Sequence, residues 1–313
     1  VIIYNLYKYD CYNLYYIIKF KHIIAILKKK SYNVFIVLFL KSVKRSLVMK
    51  RNLGIILSAL ILTACISGCG KEEQEESVVN TPITSADDLS GKKIGTQLGT
   101  TGYIFAQDIE GAKVEPFSTG SEAVKALADG EIDAVLIDAE TANVFVEENT
   151  SLTILDEPFA VEEYSVAYSK DNDEMGKKID SAISALKENG TLDEIKSHWI
   201  GDNADEVSYV PKSDIPREGT IKVATNAEFP PYESFNESSE IVGIDIDMMN
   251  AVCDELGMEL VVESMDFDSI IPSVNSGEYD AGVAGISVTP EREENVSFTQ
   301  SYATSTQVII VKK

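Results

Sequence analysis

"SYATSTQVIIVKK" (residues 301–313) decides how the rest of this chain is read. A Ser/Thr-rich approach leads into the continuous apolar run Val308, Ile309, Ile310, Val311, the pattern of a β-strand entering a core. Two lysines follow, with no turn, helix or further strand after them. A core strand needs neighbours, so its partners are expected from another part of the chain.

Working back from that strand, the chain alternates short apolar strands with amphipathic helices from Asp87 onward, the signature of an α/β architecture. "KKIGTQ" reads as a strand, "YIFAQDI" as a helix, and "SEAVKALADG" as a helix closed by Gly130. "IDAVLID" and "YSVAYS" read as buried strands, followed by the helices "MGKKIDSAISALKENG" and "LDEIKSHWIG". Residues 202–219, "DNADEVSYVPKSDIPREG", carry two prolines and no sustained period, and read as a linker. A second run follows: strand "TIKVATN", helix "DIDMMNAVCDELG", strand "ELVVESM", helix "FDSIIPSVNSG" and strand "YDAGVAG". The two runs echo each other. "DGEIDAVLID" (129–138) and "SGEYDAGVAG" (276–285) both place Gly-Glu-x-Asp-Ala between a helix and a strand, as expected of two similar lobes.

Charge narrows the function classes. The chain has 313 residues and a net charge of −24. Its first 51 residues carry +10, and the remainder carries −34. A body this acidic lacks the clustered cations that nucleic acid demands, and a solvated surface is the plain reading. The segment "MKRNLGIILSALILTACISGCG" from Met49 has a charged start, an apolar run too short for a membrane span, and small residues before Cys69. It reads as a signal peptide over 49–68, with an acidic tether over 69–85. Residues 1–48 contain no Met and show no helical or strand period, and are expected to be upstream translation. Four cysteines leave only Cys253 in the body, at an apolar helix position, which excludes a disulfide framework there.

Two resemblances complete the reading. "ISGC" resembles the lipobox of bacterial lipoproteins, which implies cleavage before Cys69, lipidation of its thiol and a membrane anchor on the outer face of the cell. "IKVATNAEFPPYESF", "IVGIDIDMMNAVCDELG" and "MDFDSIIPSVNSGEYDAGVAGISVTPEREENVSFTQSYATSTQVIIVKK" resemble the N-terminal part of the polar amino-acid substrate-binding proteins of ABC importers. "DLSGKKIGTQLGTTGYIFAQ", "GEIDAVLIDAETA", "EEYSVAYSKDN" and "ISALKENGTLDEIKSHWIG" resemble the C-terminal part of the same family. The parts are present in swapped order. The resemblance therefore implies a circularly permuted, two-lobed type II periplasmic-binding-protein fold, each lobe a sheet flanked by helices, with two hinge strands. Lobe 2 is expected over 86–165, completed by strand 306–313; the C-terminal helices of lobe 1 over 166–201; the permutation linker over 202–219; and lobe 1 over 220–305. A truncated tandem of two binding proteins is the competing arrangement.

The residues can be weighed for amino-acid chemistry. A free amino acid needs an anion site, an ammonium site and a pocket for its side chain. "AGISVTPER" ends a strand at Gly285 and supplies hydroxyls at Ser287 and Thr289 and a planar fork at Arg292 matched to a carboxylate. In an acidic "EREEN" run that arginine by itself reads first as a surface ion-pair partner; the resemblance reverses this and implies that it grips the α-carboxylate, with Ser287 and Gly285 touching carboxylate and ammonium. In "QLGTTGY" Thr100 or Thr101 caps a helix, and the resemblance makes Thr101 the second lobe's carboxylate partner. It also implies that Asp138, at the end of a buried strand, takes the ammonium, while Asp133 caps a strand. Phe229, Tyr232 and Phe267 resemble the aromatic walls around the ligand's side chain, although core packing is the alternative for each. Asn226 stands where cation-selective relatives commonly carry an acid, which Glu228 is placed to compensate; Gln97 is expected to line the pocket.

The expected protein is thus a monomeric, lipid-anchored receptor that binds a polar L-amino acid between its two lobes and delivers it to an ABC permease, with no cofactor, metal or nucleic-acid partner. A sensory lipoprotein without transport and a dehydratase on the same fold are the alternatives. No Ser-His-Asp or Cys-His set, metal-ligand cluster or phosphate loop supports catalysis.

Overall fold

The computed structural model describes residues 82–201, 204 and 207–313. The signal segment, Cys69, residues 1–48 and nearly all of the tether lie outside the described residues. Along the chain run β1 (Lys93–Gln97), α1 (Thr101–Asp108), β2 (Lys113–Phe117), α2 (Gly120–Asp129), β3 (Ala134–Asp138), α3 (Ala139–Glu148), β4 (Leu152–Ile154) and β5 (Ala160–Ser169). Next come α4 (Asp173–Glu188), α5 (Thr191–Trp199), β6 (Thr220–Thr225), the short β7 (Glu228–Phe229), β8 (Glu233–Phe235) and β9 (Ile241–Val242), and α6 (Ile244–Leu256). The chain closes with β10 (Glu259–Ser264), α7 (Phe267–Asn275), β11 (Ala281–Gly282), α8 (Pro290–Glu293) and β12 (Val296–Lys312).

The main sheet runs β10-β6-β11-β5-β12-β3-β1-β2, with β4 also paired to β12. It has two parallel ends, β10-β6-β11 and β3-β1-β2, joined through two antiparallel strands, β5 and β12. β12 contains the apolar run Val308, Ile309, Ile310, Val311, and its partners come from three other segments of the chain. It pairs with β5 from Val296 to Gln307, then with β3 from Gln307 to Ile310, and with β4 from Ile310 to Lys312. Seventeen residues extend about 56 Å at ~3.3 Å each, long enough to belong to both ends of the sheet. β5 and β12 are the two hinge strands of an α/β, two-lobed architecture.

Alternation along these strands builds four cores. In β3, Val135 and Ile137 face one side with Val308 and Ile310 of β12, under α2 and α3. Ala134 and Leu136 face the other side with Ile309 and Val311, where Ala106 of α1 packs. A strand covered on both faces must be apolar at every position, which is why "AVLI" and "VIIV" are unbroken. At the other end, α4, α5 and α6 pack Ile179, Ile183, Leu192, Met248 and Val252 against Ile221 and Val223. α7 covers the opposite face with Ile270 and Val274. Cys253 is buried in the first of these layers.

The repeated Gly-Glu-x-Asp-Ala unit performs the same task twice. Asp133 accepts the Lys93 amide at 2.8 Å, and Asp280 accepts the Lys222 amide at 2.9 Å. Each aspartate thereby pins the start of the neighbouring parallel strand, after a glycine with positive φ (Gly130, 82°; Gly277, 78°).

Several elements differ from expectation. "YDAGVAG" yields only a two-residue ladder, because the chain turns away at Gly285 (φ 54°). The Ser/Thr-rich approach to "QVIIV" is itself strand, because β5 extends back to Ala160 to pair with it. β2, β4 and α3 carried no clear period. The segment 207–219 is not a free linker: Asp254 of α6 accepts the Tyr209 hydroxyl at 2.8 Å and the Lys212 amide at 2.9 Å, and forms an ion pair with Arg217. Among the described residues no helix is long and apolar enough to cross a membrane.

Candidate functional site

β1, β3, β6 and β11 all run toward one seam, and the loops at their C-terminal ends meet there, the usual place for a ligand in open α/β sheets. Eight of the residues singled out from sequence line one enclosed cavity at that seam: Gln97, Thr101, Asp138, Asn226, Phe229, Phe267, Gly285 and Arg292. The enclosed space is about 20 Å3, room for a water molecule but not for an amino acid. Thr101 also borders a wider groove of about 630 Å3, walled by Phe105, Val161, Glu162, Ser287 and Val288.

Arg292 occupies the centre of the seam and is 8 % exposed. Thr289 caps the one-turn α8 and accepts the Arg292 amide, so the side chain leaves a fixed backbone. Its guanidinium donates to the Ser287 carbonyl at 2.6 Å and, across the seam, to the Gly99 carbonyl at 3.0 Å. The Phe267 ring lies 5.4 Å from it. No described carboxylate is within ion-pair distance. Burial draws the pKa of this guanidinium down, opposed by the charges of Glu162 and Asp138. A buried cation held only by carbonyl dipoles is incompletely compensated.

Asp138 faces it from the other half. The carboxylate accepts the Tyr164 hydroxyl. Burial, with Glu162 and Glu140 nearby, pushes its pKa up to about 7 against the hydrogen bond from Tyr164. Thr100, not Thr101, caps α1, accepting the Tyr103 amide at 3.3 Å. Thr101 is thereby free to donate its hydroxyl to Glu162 at 2.9 Å. Gln97 donates to Asn226 across the seam at 2.8 Å, and Asn226 donates to the Met265 carbonyl.

Part of this sequence is similar to known proteins. The profile of the bacterial extracellular solute-binding proteins, family 3, matches residues 221–313. Over those residues the chain is similar to family 3.

ABC transporter arginine-binding protein 1 of Escherichia coli (strain K12) is 42 % identical over 93 residues, 30 % of this chain and 38 % of that protein. L-cystine-binding protein TcyJ of the same organism is 34 % identical over 121 residues, 38 % of this chain and 46 % of that protein. Among solved structures, the arginine-bound form of domain 1 from TmArgBP is 32 % identical over 30 % of this chain and 81 % of that one, with a TM-score of 0.26. The chain spans less than half the length of these curated relatives.

Two of the residues expected in the site stand apart from the cavity. Tyr232 is stacked behind Phe229, ring centroids 5.5 Å apart, and belongs to an aromatic cluster with Tyr164 and Tyr302. Its packing role follows from its position in the β7–β8 hairpin, one layer below the cavity wall. Ser287 borders the adjoining groove and meets Arg292 through its carbonyl, not its hydroxyl. Glu228 is exposed and lies outside the cavity, so it does not replace an acid at Asn226.

Two residues were missed. Glu162 and Tyr164 share one face of β5, and the reading of this strand began only at Tyr164. Glu162 is 8 % exposed and collects the Thr101 hydroxyl and the Gln307 amide, both at 2.9 Å. The alternation Glu162, Tyr164, Val166, Tyr168 was the available signal: an acid in phase with buried positions of a strand.

Proposed function

We propose that this protein is an extracytoplasmic, lipid-anchored receptor that takes a polar L-amino acid between its two lobes and delivers it to an ABC importer. One observation carries the reading: a buried guanidinium without a carboxylate partner faces a buried aspartate across the seam of two sheet ends. An α-amino acid supplies the missing anion to Arg292 and a cation to Asp138 in one rigid molecule. The arginine- and cystine-binding relatives bear names of the same class.

Opening is required for entry. The hydrogen bonds Arg292–Gly99 and Gln97–Asn226 cross the seam and must part. On closure around ligand, Arg292 exchanges a carbonyl for a carboxylate, Thr101 adds a hydroxyl, and Asp138 pairs the ammonium. Only the closed state pairs every charge, so the ligand shifts the population toward closure. Charge-assisted bonds of roughly 1.5–3 kcal/mol each, with burial against Phe229 and Phe267, reach the ~8 kcal/mol of micromolar affinity. The groove beyond Thr101 offers space for the side chain.

We also propose that the chain is a single clamp in permuted order. Residues 82–201 and 220–313 complete one sheet, and Lys312 borders the same surface groove as Pro82. A variant with Lys313 joined to Ser85 and opened within 202–219 is expected to bind ligand as the parent does; two separated bodies in solution scattering would contradict it. For the ligand itself, thermal shift with the twenty L-amino acids is the deciding screen. A true ligand at 1,000 times its Kd adds ~4 kcal/mol, and the absence of any shift at millimolar concentration overturns the receptor reading.

A further inference from the structure

Beneath Gly285 lies a cluster that the ligand chemistry above leaves unused. Glu233 of β8 and Asp245 of α6 are both 0 % exposed. Asp245 Oδ2 accepts the Gly285 amide at 2.9 Å and the Tyr302 hydroxyl at 2.8 Å. Asp245 Oδ1 and both Glu233 oxygens have no donor among the described residues. The two residues are neighbours: the Asp245 amide donates to the carbonyl of Tyr232, the residue before Glu233, at 3.0 Å.

Two ionised carboxylates on adjoining backbone, buried and without a cation, repel strongly; a proton on one of them lets the pair form a hydrogen bond instead. The surroundings say which one. Asp245 already holds two donors that favour its charge. Glu233 has none, and Asp138 adds further negative charge nearby. Tyr232 and Tyr302 are the other titratable groups facing the pair, and Glu140 acts on Tyr232 from the far side. Burial accordingly moves the Glu233 carboxyl well above the usual range, and moves Asp245 only to about 6.

We propose that Glu233 is a neutral acid that donates its proton to Asp245, and that the pair is a positioning device for the Gly285 wall of the ligand cavity. Gly285 needs such a hold. It sits at φ 54°, and a Cβ there would stand 2.7 Å from the Phe229 ring, so the turn is tight against the aromatic wall. Its amide is anchored only through Asp245, and the geometry of Asp245 depends on what Glu233 gives to the opposite oxygen. Glu233 and Asp245 are positioning residues that act through Gly285. The consequence for binding rests on the receptor reading above; the proton and the anchor do not.

The test separates the two. In the ligand-free protein at pH 7, infrared difference spectra of wild type minus Glu233→Gln are expected to show the loss of one protonated carboxyl C=O band. The Gly285 amide resonance is expected to move with pH in the alkaline range in wild type and to stay fixed in Glu233→Gln, which donates at every pH. With L-arginine as probe, Glu233→Gln is expected to bind within about threefold of wild type, and Glu233→Leu more than tenfold more weakly. Absence of the band difference, or identical pH courses of the Gly285 amide, overturns the proposal. Should Glu233→Leu fail to fold, the glutamine pair decides alone. Should wild type bind no amino acid, the receptor reading falls while the infrared and amide results still judge the shared proton.

Discussion

The two ends of the sheet are built alike and charged oppositely at the seam. Each has a parallel β-strand trio, an aspartate pinning a lysine amide (Asp133–Lys93, Asp280–Lys222), and helices on both faces. Yet the half holding β3 brings Asp138, Glu162 and Thr101 to the seam, while the half holding β11 brings Arg292, Phe229 and Phe267. The repeated parts make the scaffold, and the unrepeated loops make the chemistry. Neither half alone offers both an anion site and a cation site, so under the proposed function recognition of a zwitterion depends on closure.

Arg292→Ala removes one side of that opposition and is expected to have the largest effect. Losing two charge-assisted bonds at ~1.5–3 kcal/mol each costs about 100-fold or more in affinity, read by calorimetry, with the circular-dichroism spectrum unchanged. Undiminished affinity would break the assignment.

Asp138→Asn removes the other side and is expected to cost about tenfold or more, since a hydrogen bond remains where a charge pair was. It also changes the pH profile. Asp138 must be ionised to pair an ammonium, and its pKa stands at about 7 without ligand. Wild-type affinity should therefore fall as pH drops below about 7, up to about tenfold per unit. The asparagine variant should be flat over that range, and a parallel decline in both would remove Asp138 from the site.

Stability of the ligand-free protein sharpens the same point. Asp138 and Asp245 have folded pKa values raised from 3.8 to about 7 and about 6, so their contribution is complete below 3.8 and is lost as pH rises through 6 to 7. The melting temperature should rise on acidification from pH 8 toward 5. Saturating ligand should diminish the rise, because it stabilises ionised Asp138.

Gly285→Ala tests the wall between them. Strain at positive φ and a 2.7 Å approach to Phe229 should lower stability by about 1–3 kcal/mol. Calorimetric affinity should fall with it. Asn226→Ala, which removes the Gln97 bond across the seam and the bond to the Met265 carbonyl, is expected to be smallest for affinity, about 1 kcal/mol; a large loss of affinity would move Asn226 from closing contact to ligand contact.

Much of this was legible in the chain. Continuous apolar runs announced doubly covered strands, because both faces of β3 and β12 are packed. Gly130 and the paired Gly-Glu-x-Asp-Ala units announced the repeated turn, because a left-handed residue and a strand-pinning acid are local devices. The role of Glu162 was not legible, and packing at Tyr232 was legible only as an alternative. A glutamate next to another glutamate at a strand end looks solvated until Thr101 and Gln307 arrive from distant segments, and a tyrosine beside two prolines looks like a wall until Phe229 stacks over it.

The sequence by itself determined the elements, the α/β class and the residue types able to hold a zwitterion, since those depend on period, capping and side-chain chemistry within a few residues. Only the tertiary structure decided which charges meet. Arg292 and Gly99 are separated by 193 positions and Gln97 and Asn226 by 129, and they touch because β5 and β12 bind both sheet ends into one. Burial, which moves the pKa of Asp138 and Asp245 and leaves Arg292 without a carboxylate partner, is a property of that assembly and of no segment alone.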